Sequence, residues 1–157
     1  MVPHRVFVAA LLALALIGCS GPEPAVPAQP MPSSSNATAT VGGVTLQAST
    51  LDVADLNEIV ARRYDIDRGR PGAMMLLAGR DARGNGIEPG DRRVEAIAGA
   101  LPDAPRPLTL RPITTDGMTD YIGVFNVSPP ATVQFRITAI RGGARAELAA
   151  TAELYPR

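Results

Sequence analysis

The sequence predicts a mainly β protein: an antiparallel, immunoglobulin-like β-sandwich of about seven strands, with one short helix after the first strand. Three observations predict it. Short runs of alternating apolar and polar residues are separated by Gly, Pro and Asp-Gly clusters, the pattern of strands that bury one face and wet the other. The clearest alternation places Val133, Phe135, Ile137 and Ala139 on one side and Gln134, Arg136 and Thr138 on the other. Two dipeptides, Asp116-Gly117 and Gly142-Gly143, suit tight hairpins because both positions tolerate positive φ.

The first eighteen residues stand apart from that fold. Arg5, with His4 beside it, precedes an apolar run from Val6 to Ile17. A basic head, an apolar stretch of about 7–15 residues and small residues at the cut make a secretory signal. A spanning helix needs about 18–20 apolar residues, so this run is too short to cross a bilayer. Leu16-Ile17-Gly18-Cys19 resembles the bacterial lipobox, in which the cysteine thiol receives a diacylglycerol and the chain is cut before it. The resemblance makes residues 1–18 a lipoprotein signal peptide and Cys19 the lipidation site. Membrane attachment would then come through acyl chains, each buried methylene contributing about 0.8 kcal/mol. Ser20 stands where an aspartate would imply inner-membrane retention, so the same resemblance implies an outer-membrane protein facing the periplasm.

Residues 19–40 read as the lipidated cysteine and a tether rich in Pro, Ser and Ala, without apolar period. Its prolines favour extended structure at about 3.1 Å per residue. Residues 41–157 are enough for one domain and too few for two. Val41–Ser49 is the first candidate strand. Asp52 can then cap a short helix, in which Leu56, Ile59, Val60 and Arg63 recur at helical spacing and Glu58 lies four residues before Arg62, a favourable pair. Residues 73–78 are almost wholly apolar, as in a strand buried on both faces. Residues 81–86 make a turn and Arg93–Ala98 resumes strand character. Leu108 and Leu110 alternate with Thr109 and Arg111, and Asp116-Gly117 should join the strand ending near Thr115 to Tyr121–Val127. Pro129-Pro130 ends that strand. After Gly142-Gly143, Ala146, Leu148, Ala150, Ala152 and Leu154 share one face of the last strand, opposite Arg145, Glu147, Thr151 and Glu153.

Composition narrows the chemistry. Arginine supplies all fifteen basic residues against fifteen acids, a balance that offers no broad electrostatic footprint for nucleic acid. The one histidine lies in the signal and the one cysteine is the lipid acceptor. The mature domain therefore has no histidine base, no free thiol and no His/Cys metal ligands, and no cofactor or metal is expected. Asp65-Ile66-Asp67 lacks the later donors of a calcium loop, since the fifth and twelfth positions are Gly69 and Leu76. The pairs Asp116/Asp120 and Asp52/Asp55 could in principle do acid/base work, but a hairpin turn explains Asp116 and a helix start explains Asp52 and Asp55. Asn36-Ala-Thr38 and Asn126-Val-Ser128 fit the glycosylation pattern, which has little meaning on a bacterial lipoprotein.

Tyr64 with Arg62, Arg63, Arg68 and Arg70 is the candidate partner surface, because tyrosine and arginine are enriched at interfaces. The alternative is that Tyr64 packs the helix onto the sheet while the arginines remain in water. A family resemblance runs from Val41 to Tyr155. It is carried by Ser49-Thr50-Leu51 leading into the helix, by Ala61–Arg68 (Ala-Arg-Arg-Tyr-Asp-Ile-Asp-Arg) and by the strand Met74–Leu77. It continues in Tyr121-Ile-Gly-Val-Phe125 and Val133-Gln-Phe-Arg-Ile137. These stretches resemble a small exported bacterial family known as domain of unknown function 4426. The resemblance implies an exported β-sandwich and names no activity; the lipobox and long tether depart from the family's usual pattern. The expected function is that of a non-catalytic binding or structural domain, attached to the membrane by lipid, with another envelope protein as its partner. The alternatives are a periplasmic chaperone or assembly factor, using an open sheet edge or the Met74–Leu77 region, and a carboxylate-dependent hydrolase.

Overall fold

Three two-residue turns organise the strands. Gly42-Gly43 (φ 52° and 76°), Asp116-Gly117 (51° and 77°) and Gly142-Gly143 (54° and 79°) all lie in the left-handed region, which closes a hairpin without splaying its right-twisted strands. The structure, a computed structural model, describes residues 35–87 and 91–157; the signal, Cys19 and the tether up to residue 34 lie outside the described residues. The first turn changes the expected start of the domain. Gly42-Gly43 divides the anticipated strand 41–49 into β1 (Asn36–Val41) and β2 (Val44–Asp52), paired from Val41↔Val44 to Asn36↔Ser49. Ordered sheet thus begins at Asn36, inside the stretch 19–40 assigned to the tether. Ala37 and Ala39 alternate with exposed Asn36, Thr38 and Thr40: a genuine period of two, written in residues that also fill linkers.

The helix follows the second strand rather than the first. Asp52 caps only a 3-10 turn, Val53–Asp55, its carboxylate accepting from Ala54 N at 2.9 Å. The α-helix proper, α1 (Glu58–Arg63), is capped by Asn57, whose Oδ1 accepts from Ile59 N at 2.8 Å and Val60 N at 3.1 Å. Two of the orphan N–H groups of a six-residue helix depend on this one side chain. Asn57→Ala should therefore cost about 1 kcal/mol of stability, read as a lower denaturant midpoint at unchanged slope. Arg62 and Glu58 pair at 3.5 Å. Ile59, at helical spacing with the buried Leu56, is nonetheless 64% exposed.

The remaining strands are β3 (Gly72–Arg80), β4 (Arg93–Ala100), β5 (Arg106–Leu108), β6 (Arg111–Thr115), β7 (Met118–Asn126), β8 (Ala131–Arg141) and β9 (Ala144–Leu154). The single strand expected through Leu108–Thr115 is two strands in different sheets. The chain crosses over at Thr109-Leu110, so nine strands replace about seven. One sheet has the order β1-β2-β3-β7-β6 and the other β5-β4-β8-β9, with every named pair antiparallel. Leaving aside β1 and β5, β2-β3-β7-β6 facing β4-β8-β9 is the ABED/CFG arrangement of a constant-type immunoglobulin sandwich. β5 takes the C′ position beside β4, and β1 adds an edge beyond β2.

Burial explains the sequence pattern. Val133, Phe135, Ile137 and Ala139 are at most 1% exposed and meet Leu46, Met75, Leu77, Leu148 and Leu154 in one core cluster between the sheets. β3 is apolar on both faces because both are covered. Met75 and Leu77 enter the main core, while Met74 and Leu76 join a second cluster with Val53, Leu56, Ala61 and Ile122. The excursion from β2 to β3 thus lies over the outer face of the first sheet. Arg92 is a buried polar residue that alternation did not single out: its Nη2 donates to Thr119 O at 3.2 Å, and its guanidinium carbon lies 5.4 Å from the centre of the Tyr121 ring.

The turn after β3 forms around Asp81, whose carboxylate accepts from Asn85 N and Arg83 N, both at 2.8 Å. The Asn85 amide is the larger cause of an Asp81 carboxyl held below its usual range. A depressed folded-state pKa contributes stability above the unfolded value, which is lost as pH falls through the folded one.

Candidate functional site

The segment linking β2 to β3 carries the residues singled out in the sequence, and the sheet beneath it brings others to them. Tyr64 ends α1, half-buried against the second cluster. Its carbonyl accepts from Arg111 Nη2, which reaches across from β6. Arg68 Nη2 donates to Ala54 O at 3.3 Å, tying the loop back to the 3-10 turn. Arg62 is exposed and paired with Glu58; Arg63 is exposed. Asp65 sits at φ 52°, and Asp67 Oδ1 accepts from Gly69 N at 2.8 Å, so the Asp67 carboxylate is engaged in its own turn.

Beside this loop lies a cleft of about 350 Å³. It is lined by Asp65, Asp67 and Arg70 from the loop, and by Arg111, Ile122 and Asn126 among the strand residues. Arg111 and Asn126 were not legible as partners of the Arg/Tyr loop. Strand pairing places them: Arg111 lies opposite Ile122, and Gly72 opposite Asn126. Of the arginines singled out, Arg70 lines the cleft, whereas Arg62, Arg63 and Arg68 do not. The arrangement offers two guanidinium groups, two carboxylates, an amide and an apolar patch, which suits recognition of a polar chain by hydrogen bonds and contact.

A larger open cleft of about 630 Å³ lies where the ends of the two sheets meet, with Thr50, Asp52, Asp55, Thr132, Thr151 and Glu153 among its lining. Thr50 Oγ1 donates to Thr151 O at 2.7 Å. Arg157 is bonded to Asp55, which raises the guanidinium pKa further, and lies 4.0 Å from Asp52. These two carboxylates are therefore engaged by a cap and an ion pair. The other suggested acid pair is likewise occupied: Asp116 makes its hairpin turn and Asp120 pairs with Arg80 at 3.3 Å. Among the described residues no group of three or more Asp, Glu, His or Cys side chains is placed to hold a metal ion.

The Met74–Leu77 region does not form an open surface. β3 is paired on both sides, and Met74, Met75 and Leu77 are at most 3% exposed. Two of the four sheet edges, β5 and β6, carry Pro107 and Pro112 within short strands, which removes backbone donors that an added strand would use.

Comparison with known proteins places the chain in a family. A model of the domain of unknown function DUF4426 matches residues 38–157. The chain belongs to the DUF4426 family. A crystal structure of a DUF4426 family protein from Pseudomonas aeruginosa PAO1 superposes with a TM-score of 0.59 at 18% identity, covering 78% of this chain and 97% of that one. At that identity the likeness is one of fold. No curated protein matches the chain. The DUF4426 match starts at residue 38, within β1 and close to where the ordered sheet starts.

Proposed function

We propose that this DUF4426 protein is a lipoprotein of the outer membrane, cut before Cys19 and held there by acyl chains. Its sandwich would face the periplasm as a non-catalytic binding or structural domain. The observation that carries the reading is the single cysteine, placed at the end of an apolar run too short to span a bilayer and preceded by Leu-Ile-Gly. A domain built on β1 to β9 without histidine or cysteine supports the non-catalytic part, as do acid pairs engaged in caps, turns and ion pairs. The cleft at Arg70 and Arg111, beside Tyr64, is the surface to which we assign a partner from the envelope.

Mass spectrometry of the mature protein tests the anchor directly. The expected N-terminal peptide begins at Cys19 and carries a diacylglyceryl group on the thiol, with fatty acyl chains released by alkaline treatment. An unacylated chain starting at any other residue would overturn the assignment. For the partner surface, Arg70→Glu together with Arg111→Glu should abolish recovery of an envelope partner after crosslinking; undiminished recovery would place that surface elsewhere.

A further inference from the structure

The exposed large apolar side chains gather toward one end of the domain, and it is there that the chain enters β1. Strand directions define two poles. β2 ends, β3 begins and β7 ends at one of them, as the pairs Asp52↔Ala73 and Gly72↔Asn126 require. The Thr50–Thr151 hydrogen bond brings there the end of β9 and so, through Ala131↔Leu154 and Ala100↔Val133, the start of β8 and the end of β4. The Gly42-Gly43, Asp116-Gly117 and Gly142-Gly143 hairpins lie at the other. The chain enters β1 at the first pole, where Thr50 N donates to Ser35 O at 2.9 Å. Among the described residues the exposed large apolar side chains are Ile59 (64%), Leu101 (55%) and Tyr155 (68%). Leu101, in the β4–β5 connection, and Tyr155, just past β9, lie at that pole. Ile59 is carried by the β2–β3 connection, which leaves from and returns to it while covering the adjoining outer face of the first sheet. None of the hairpin turns at the far pole presents such a residue.

We propose that this pole is a bilayer-contacting surface, in which Ile59, Leu101 and Tyr155 seat the domain on the lipid that Cys19 enters. The inference rests on the lipid-anchor reading and adds an orientation to it. The chain that would connect lipid to domain, Ser20–Ser34, reaches roughly 45 Å at full extension and enters the domain at this pole, which is therefore the end that can approach the bilayer with the tether slack. Singly exposed apolar residues need no explanation in general; three confined to the anchored end and missing from the opposite turns do. The charges there are of both signs and partly paired, as in Arg62–Glu58 and Arg157–Asp55. Seating is accordingly apolar rather than electrostatic, unlike a polybasic patch that requires anionic lipid.

The test uses the mature chain from Cys19, coupled through its thiol to a maleimide lipid, so it does not depend on processing in the cell. Hydrogen exchange is compared with the same chain uncoupled, on vesicles of phosphatidylethanolamine with and without phosphatidylglycerol. The expected result is several-fold slower exchange in 57–66, 101–104 and 155–157 on either vesicle, with 42–43, 116–117 and 142–143 unchanged. The triple variant Ile59→Ser, Leu101→Ser, Tyr155→Ser, all at exposed positions, should remain folded and lose that protection. Protection absent, shared equally by both poles, dependent on phosphatidylglycerol or retained in the triple variant would overturn the proposal. A pole that seats a protein instead would show no protection on vesicles. Failure of the anchor itself is read separately, from the mass of the cellular N-terminus.

Discussion

Phe135→Ala should destabilise the domain by about 3–5 kcal/mol, the usual range for removing a buried phenylalanine ring. Since domains of this size are stable by only about 5–15 kcal/mol, much of the folded population would be at risk. Phe135 is fully buried on β8, the strand paired with both β4 and β9. Its neighbours in the core cluster include Met75 and Leu77 of β3. β3 and β8 occupy the positions that a disulfide bridges in antibody domains, and here no cysteine lies in the domain. The two sheets are held without a covalent cross-link, chiefly by packing, with Phe135 among its largest fully buried pieces. Guanidinium unfolding followed by far-UV circular dichroism should show a lower midpoint with little change in slope. A midpoint close to that of the wild type would mean that the sheets do not depend on this ring.

The inner faces were legible because alternation is a direct record of burial. Along β8 every apolar position in the run from Val133 to Ala139 proved to face the core, and along β9 Leu148, Ala150, Ala152 and Leu154 did the same. Asp116-Gly117 and Gly142-Gly143 were legible through their tolerance of positive φ. Gly42-Gly43 carried the same signal between two valines, yet the polar, alanine-rich stretch before it resembled linker and hid β1. The crossing at Thr109-Leu110 had no local signature. Leu108 and Leu110 belong to one alternating run, and only the separate partners of β5 and β6, Ala96↔Leu108 and Arg111↔Ile122, reveal the change of sheet. Ile59 erred in the other direction: helical spacing marked it as apolar face, but a six-residue helix buries only Ala61 fully.

The candidate site divides along similar lines. Tyr64, Arg68 and Arg70 are close in sequence, so a compositional cluster could indicate them. Arg111 and Asn126 reach the same place from β6 and β7, more than forty residues on. No periodicity within either segment encodes that meeting; it comes from antiparallel pairing across the first sheet. Asp52 shows the opposite case, in which a correctly recognised capping residue caps a neighbouring turn, because Asn57 offers two acceptor contacts to α1 itself.

Met75→Ala should cost about 2–5 kcal/mol, and its comparison with Met74→Ala separates the two cores. The residues are adjacent on β3 and almost equally buried, at 0% and 3%, but the pleat sends them to opposite faces. Met75 lies in the cluster between the sheets, so its loss should lower global stability and speed exchange across β2, β3, β7 and β8 together. Met74 lies in the small cluster beneath the β2–β3 excursion, with Val53, Leu56, Ala61 and Ile122. Truncating it should loosen that excursion first, because a segment fixed by few buried contacts opens below the global free energy. Hydrogen exchange of Met74→Ala should therefore show faster exchange in 53–66 while β8 and β9 remain protected. Tyr64 and the Arg70 side of the cleft ride on that excursion, so the same variant should weaken partner capture while leaving most of the global stability in place. Equal loss of protection throughout the domain in both variants would show that the two clusters unfold as one, and that the candidate surface has no stability of its own to lose.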